Sequence, residues 1–255
     1  MKKAASFALG CKVNQYESEA IAELFAEKGY EIVGIDEEAD VYVINTCTVT
    51  NFGDKKSRQL IRKVKRQNEN AIVAVVGCYA QTAPKELMEI AGVNLVIGTK
   101  DRAQIVEMVE QYDRANGVEN HVSDIMKERV FEPLSIQKLA NRTRAYLKIQ
   151  DGCSQYCSYC IIPYARGPIR SREPQEVVAE VKRLAENGFK EVVLTGIHVA
   201  SYGKDRRDTS LLDILKQVHE VEGIERIRFS SIEPNVVTEE FAQTMAALPK
   251  VCDHF

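Results

Sequence analysis

Tryptophan is absent from the 255 residues, and aromatic side chains make up only 7% of them. No apolar run approaches the about 18 residues that a membrane-spanning helix needs, so no such helix is expected. Charge of one sign is not in excess either. The balance of 34 Lys and Arg against 37 Asp and Glu leaves a formal net charge of −3. That excludes a polyanion binder working through overall charge, and any nucleic-acid surface must be a local patch. Low-complexity tracts and short-period repeats are missing. The cysteines number seven, and an odd count in a chain of this length does not read as a secreted disulfide framework. Metal or redox chemistry in a reducing compartment fits better. What is there, 45% hydrophobic and 28% charged residues, is the composition of a globular protein with a real core. Met1-Lys2-Lys3, the apolar residues 4–10 and Cys11 outline a lipoprotein signal. The apolar stretch is too short for one, and a helical pattern follows at once. A cytoplasmic protein is expected.

The first hundred or so residues alternate strand-like and helix-like segments. Ala4–Leu9, Val41–Ile44, Ala71–Val76 and Leu95–Ile97 read as strands. Between them, residues 15–28 carry Ala20, Ile21, Leu24 and Phe25 at helical spacing, 53–67 form a basic amphipathic helix, another helix begins near Pro84, and one covers 101–112. This rhythm predicts a parallel sheet covered by helices. Residues 113–142 lose the rhythm and read as a linker between a domain at 1–112 and a second at 143–255. The second repeats the βα pattern: strands at Ala145–Ile149, Glu191–Leu194 and Ile224–Phe229, helices at 174–187, 210–221 and 236–247. The chain stops at Val251–Phe255, where the rhythm calls for another strand, and is read as truncated.

Just after the strand Ala145–Ile149 stands Asp151-Gly152-Cys153-Ser154-Gln155-Tyr156-Cys157-Ser158-Tyr159-Cys160, a C-x3-C-x2-C loop. Three thiolates in a short loop can ligate three irons of a [4Fe–4S] cube and leave the fourth iron open for chemistry. A structural zinc site wants four ligands in paired spacings, and no fourth Cys or His is near. Tyr159, an aromatic before the last cysteine, is a further mark of the radical S-adenosylmethionine (SAM) pattern. Cys11, Cys47 and Cys78 are far apart in sequence, yet each follows an apolar strand: FALGC, VYVINTC and VAVVGC. In a parallel sheet those carboxyl ends share one edge, where open α/β folds bind ligands. Two readings stay open on placement alone: a second cluster site, or three ordinary buried cysteines.

Taken together, LGCKVNQYESE at 9–19, NTCTVTN at 45–51, GCYAQ at 77–81, DGCSQYCSYCIIPYARG at 151–167 and LTGIHVASYG at 194–203 resemble the radical SAM methylthiotransferase family. The resemblance implies an N-terminal flavodoxin-like domain holding an auxiliary [4Fe–4S] cluster on Cys11, Cys47 and Cys78. It implies a partial (β/α) barrel holding the SAM-cleaving cluster on Cys153, Cys157 and Cys160. Cys11–Glu17, Asn45–Thr50 and Ser230-Ser231-Ile232-Glu233-Pro234 are similar to the branch that adds a methylthio group at carbon 2 of N6-threonylcarbamoyladenosine, at tRNA position 37. Sister branches act on isopentenyladenosine in tRNA or on a ribosomal-protein aspartate. A non-catalytic iron–sulfur or RNA-binding fragment is the rival from another class. The family continues with the rest of the barrel and a small RNA-binding β domain, called TRAM, and the resemblance places neither within these 255 residues.

The same resemblance implies that Thr195 and Gly196 contact the methionine part of SAM, with Ser231 and Glu233 as further candidates beside Tyr159. It also implies an electron donor of flavodoxin or ferredoxin type and a sulfur source that the residues do not name. Between Lys55 and Arg66 stand seven cations and no acid: Lys55, Lys56, Arg58, Arg62, Lys63, Lys65 and Arg66. Arg58, Arg62 and Arg66 align on one helical face while Leu60, Ile61 and Val64 face the sheet. By itself that is a solvated face; with the resemblance it reads as a tRNA phosphate contact. Arg166, Arg170 and Arg172 either bind RNA or pair with neighbouring carboxylates. His198 is expected to be a hydrogen-bonding loop residue, and Cys252, which matches neither trio, a structural one.

Overall fold

Near-continuous apolar runs in β3, β4 and β5 make both faces of the N-terminal sheet apolar. The computed structural model describes residues 1–48, 51–136, 144–230 and 232–254, with backbone alone for 51–54. The chain divides into two compact units: Met1–Glu128 with Glu132–Ile136 and Tyr156–Gly167, and Arg129–Phe131 with Gln137–Gln155 and Pro168–Phe255.

The first unit runs β1 (Lys3–Ala8), α1 (Lys12–Glu27), β2 (Glu31–Ile32), β3 (Val41–Thr46), α2 (Asn51–Gln67), β4 (Ile72–Gly77), α3 (Cys78–Thr82), α4 (Pro84–Met88), β5 (Leu95–Ile97), α5 (Ile105–Gln111) and β6 (Glu119–Asn120). The strands pair in the order β2-β1-β3-β4-β5-β6, all parallel. Its first five positions are the flavodoxin-like order, which reverses direction between β1 and β3. Ala5, Tyr42, Ile44, Val73 and Val75 pack on one face against Ile61 and Val64 of α2 and Leu87 of α4. Ala4, Val41, Val43, Ala74 and Val76 pack on the other against Ile21 and Phe25 of α1 and Ile105, Val106 and Val109 of α5. Successive residues of each strand thus serve opposite helical layers.

Residues 113–142, expected as a linker, do more than connect. Glu119–Asn120 extends the sheet beside β5, and Tyr16 of α1 donates a hydrogen bond to the Leu134 carbonyl at 2.5 Å. Residues 137–142 of that stretch lie outside the described residues. The helix expected near Pro84 is two short ones. Pro84 drives the preceding Ala83 out of the helical region, to φ −138°, and so splits α3 from α4. The helix expected over 101–112 starts as a tight 3-10 turn at Arg102–Gln104 after Asp101, whose φ is +62°.

The second unit contains β7 (Arg144–Asp151), β8 (Arg170–Ser171), α7 (Pro174–Glu186), β9 (Glu191–Gly196), α8 (Leu211–His219), β10 (Arg226–Phe229) and α9 (Glu239–Ala246); a short helix at Ile162–Arg166 belongs to the first unit. The strand order is β10-β9-β7-β8, parallel except for β8. These are the opening strands of a partial (β/α) barrel. Val177, Val181 and Leu184 of α7 and Ile214, Leu215 and Val218 of α8 are the buried stripes. Ser210 and Thr238 cap α8 and α9 by accepting from Asp213 N and Phe241 N.

Gly77, at φ +94°, shows how tightly the strand ends are fitted. A Cβ there would stand 2.3 Å from Asn45 Oδ1 and 2.7 Å from the Thr46 carbonyl oxygen, whereas one at Gly188, also at positive φ, would meet nothing within 4 Å. Gly188→Ala is expected to lose about 1 kcal/mol of stability and Gly77→Ala about 3 kcal/mol or more. Urea unfolding midpoints of the two variants check this, and equal losses would contradict the fit described.

Candidate active site and metal centre

Thr46 pairs with Gly77 across β3 and β4, and the next residue of each strand is a cysteine. Neighbouring strands are about 4.8 Å apart, so Cys47 and Cys78 leave the sheet side by side. Cys11 caps the start of α1 just beyond β1. Cys11 and Cys47 therefore flank the point where the strand order reverses, the place where doubly wound sheets open a crevice. Gly10 has φ +99°, and a Cβ on it would lie 2.7 Å from the Cβ and Sγ of Cys47. The absence of a side chain there is what gives Cys47 its room.

Asparagines tie these strand ends together. Asn14 Nδ2 donates to the Leu9 carbonyl at 2.7 Å and the Thr46 carbonyl at 2.9 Å, joining the ends of β1 and β3. Asn45 Nδ2 donates to the Asn14 carbonyl at 3.1 Å. Thr46 Oγ1 donates to the Val76 carbonyl at 2.6 Å and so joins β3 to β4. Cys11 Sγ lies 3.8 Å from Asn14 Oδ1.

Behind the cysteines sits a buried ion cluster that hydropathy alone does not reveal. Glu17, Arg102 and Arg166 are all 0% exposed. Glu17 Oε1 accepts from Arg166 Nη1 at 2.5 Å, and its Oε2 lies 2.6 Å from Arg102 Nη1. Glu132 binds Arg102 through Nε at 2.9 Å and Nη2 at 2.5 Å. Arg166 Nη2 also donates to Asn14 Oδ1 at 2.5 Å, and its Nε donates to Cys78 Sγ at 3.1 Å. Burial pushes the Cys78 thiol up to about 11, although the Arg166 charge pulls it down; Cys11 and Glu17 push it further up.

Cys157 is exposed and Cys160 half-buried in the segment 156–167, where Cys160 N donates to the Cys157 carbonyl at 2.9 Å. Tyr159 is 91% exposed. The helix Ile162–Arg166, labelled α6 in chain order after β7, is fastened by Thr99 Oγ1 donating to the Ala165 carbonyl at 2.7 Å. Among the described residues, no three Cys, His, Asp or Glu side chains converge closely enough to hold a metal ion.

In the second unit, Cys153 is buried just past β7. Gln150 braces the approach to it: Nε2 donates to the carbonyls of Asp151 and Gly152 at 2.7 and 2.6 Å, and Oε1 accepts from His198 N at 2.8 Å. A Cβ on Gly196 would stand 2.7 Å from Gln150 Oε1, so Gly196 is the residue that admits this brace. Thr195 is buried, with Ser230 Oγ at 3.0 Å from its Oγ1. His198 Nδ1 lies 2.5 Å from Ser201 Oγ, and Nε2 3.5 Å from Glu233 Oε2. The expected site residue Ser231 lies outside the described residues. Asp151 accepts from Gly152 N at 2.8 Å and pairs with Lys148 at 2.7 Å and Arg170 at 3.7 Å. Of the two readings of the arginines beyond the loop, carboxylate pairing holds: Arg166 to Glu17, Arg170 to Asp151, and Arg172 to Glu180 at 2.5 Å.

On α2, Ile61 and Val64 are fully buried and Leu60 partly so, as the periodicity implies. Arg58 leaves the expected cationic row in part. It pairs with Glu86 at 2.8 Å and donates to Tyr79 Oη at 2.7 Å. Lys63 pairs with Asp36, and Lys65 donates to the Glu69 and Ala71 carbonyls at 3.0 and 2.8 Å. Lys55, Arg62 and Arg66 are exposed. Arg62 and Arg66 line an open depression of about 980 Å³ with Lys56, Lys63 and Lys65.

Residues 3–98 match Uncharacterized protein family UPF0004, and residues 147–255 match the Radical SAM superfamily. Over all 255 residues the chain is 50% identical to threonylcarbamoyladenosine tRNA methylthiotransferase MtaB of Bacillus subtilis (strain 168), covering 56% of that protein. Along its whole length the chain is thus similar to a methylthiotransferase, and residues 147–255 match the radical SAM superfamily. A second relative, the threonylcarbamoyladenosine tRNA methylthiotransferase MtaB of Aquifex aeolicus, is 40% identical over 99% of the chain and 62% of its own length. A tRNA-2-methylthio-N(6)-dimethylallyladenosine synthase of Dictyoglomus thermophilum is 34% identical over 96% of the chain and 56% of its own length. The chain thus spans little more than half the length of these methylthiotransferases. Among solved structures, a radical S-adenosylmethionine methyltransferase from Kitasatospora setae, with tryptophan and a SAM analogue bound, superposes with a TM-score of 0.64 at 17% identity. It covers 97% of the chain and 57% of its own length, and it supports the fold. No helix among the described residues is long and apolar enough to cross a membrane.

Glu17 bears on the whole carboxyl edge of the first sheet, since it holds both Arg102 and Arg166. Removing one partner of a buried pair leaves the other charge uncompensated, so Glu17→Ala is expected to lose about 3–5 kcal/mol. Chemical denaturation of the metal-free chain measures it; a loss below about 1 kcal/mol, the range of surface ion pairs, would show that the cluster does not hold this edge.

Proposed function

We propose that this chain is part of a tRNA-modifying enzyme that places a methylthio group on carbon 2 of N6-threonylcarbamoyladenosine at tRNA position 37. The observation that carries the reading is the 50% identity over all 255 residues to a methylthiotransferase named for that nucleoside. The 34% relative named for dimethylallyladenosine supplies the second reading, a sister activity on another modified adenosine. The tRNA substrate goes with a cytoplasmic setting, and the electron donor is of flavodoxin or ferredoxin type.

Cys153, Cys157 and Cys160 are the proposed ligands of a [4Fe–4S] cluster. Held by these three cysteines and with SAM bound, such a cluster would supply the electron that breaks a carbon–sulfur bond, chemistry suited to an inert aromatic carbon–hydrogen bond. Gln150 and Asp151 stiffen the backbone entering Cys153, and Thr195 and Gly196 at the carboxyl end of β9 are placed where barrel enzymes bind substrate. Glu233 and Ser231 are proposed to complete the SAM contacts, with Tyr159 beside the cluster ligand Cys160.

Cys11, Cys47 and Cys78 are the proposed ligands of an auxiliary [4Fe–4S] cluster. The donor set suits one: three thiols at neighbouring strand ends, one receiving a cationic N–H, and a side-chain-free Gly10 beside Cys47. Cationic donors and helix starts both favour the anionic state that thiolate ligands bring. Lys55, Arg62 and Arg66 are proposed to meet tRNA phosphates. Arg58 joins that group with its charge already shared with Glu86.

Iron and labile sulfide after anaerobic reconstitution test the two clusters. About eight irons per chain are expected, falling to about four when either cysteine trio is replaced by alanine. Iron lost only with the loop trio would remove the auxiliary cluster. Mass spectrometry of tRNA nucleosides from a deletion strain tests the substrate. The methylthio group of threonylcarbamoyladenosine should vanish, return with the full-length gene, and return less fully with Arg62→Ala and Arg66→Ala together. Its persistence in the deletion strain would favour the sister activity.

A further inference from the structure

Arg166 lies beyond the cysteine loop, at the end of the short helix Ile162–Arg166 and among the side chains behind β1, β3 and β4. Its guanidinium is locked at zero exposure by Glu17 and Asn14, with the Nε–H directed at Cys78 Sγ from 3.1 Å. Five donors in a planar fork leave little freedom once the Nη groups are bound. The direction of the Nε–H is therefore set by the carboxylate and the amide behind it.

We infer that Arg166 is a positioning residue for the auxiliary cluster, holding Cys78 as a ligand and raising the cluster's reduction potential through its N–H···S bond. The inference rests on the reading that Cys11, Cys47 and Cys78 bind such a cluster. Reduction adds one negative charge to the iron–sulfur core and its thiolates. A hydrogen bond to a ligand sulfur stabilises the reduced state more than the oxidised one. Because Glu17 stands on the far side of the guanidinium, the pair acts as a dipole with its positive end on the sulfur. The two partners therefore push the potential in opposite directions. Losing the Nε–H lowers it, and neutralising Glu17, whose negative charge opposes the added electron, raises it.

The test uses the full chain with Cys153, Cys157 and Cys160 replaced by alanine, reconstituted anaerobically. A one-electron reductive titration with dithionite is followed by electron paramagnetic resonance, with no bond made or broken. The parent is compared with Arg166→Lys, which keeps the charge and loses the planar donor, and with Glu17→Gln, close to isosteric. The expected result is about four irons per chain throughout, with at least a tenfold shift in the reduction equilibrium in each variant, about 59 mV. The shift should be downward for Arg166→Lys and upward for Glu17→Gln. Both variants at the parent's potential would overturn the inference alone. A parent that binds no iron would overturn the auxiliary-cluster reading and the inference with it. Should Arg166→Lys fail to hold iron, Glu17→Gln decides: an upward shift upholds the inference and an unmoved potential overturns it.

Discussion

A carboxylate withdrawn from water and gripped by two arginines is the constraint on which the proposed chemistry of the first unit depends. Taking Glu17 out of solvent is unfavourable unless its charge is answered, and Arg102 and Arg166 answer it from different parts of the chain. Each arginine is then committed elsewhere. Arg102 carries Glu132 with it, and Arg166 carries the short helix that follows the cysteine loop. Asn14, one turn before Glu17, turns the same helical face into a clasp on the ends of β1 and β3. Helix α1 thus does two jobs with one periodicity: Ile21 and Phe25 face the apolar core, while Asn14 and Glu17 serve the strand edge where Cys11, Cys47 and Cys78 emerge.

The second unit solves a similar problem by other means. Cys153 follows a strand whose last residues are braced rather than paired in simple register. The pairing of β7 with β9 shifts between Lys148 and Gln150, and Gln150 reaches across to the backbone of His198. Gly196 is permissive in a literal sense, since any larger residue would occupy the volume of the Gln150 side chain. Buried amide and ion-pair contacts of this kind add specificity of shape more than net stability.

Much of this was legible in the sequence, because short apolar runs and helical stripes announce themselves. The strands at 41–46, 72–77 and 95–97 and helices α2 and α7 lie within a few residues of where pattern places them. Two-residue strands such as β2 and β6 carry no periodicity to read. The break at Ala83 needed the backbone restriction imposed by Pro84 to be weighed against a continuous helical pattern. Glu17, Arg102 and Arg166 escaped for a deeper reason: charge in a sequence predicts exposure, and these three are buried only because they find one another across as many as 149 residues. The spacing of Asn14 and Glu17 at i and i+3, on a helix that also buries Val13 and Tyr16, was the available signal. Placement at strand ends brought the scattered cysteines together, and the structure bears out that shared edge without drawing the thiols around a single point.

That separation also sets a clock. A ribosome adds about 5–20 residues per second, so the 149 residues between Glu17 and Arg166 take about 7–30 s to make. By the time residue 120 is made the sheet has all six of its strands, yet until Arg166 follows, Glu17 lacks one of its two arginines and the strand ends lack their last clasp. The N-terminal unit therefore matures late, after the first strand of the other unit has been synthesised.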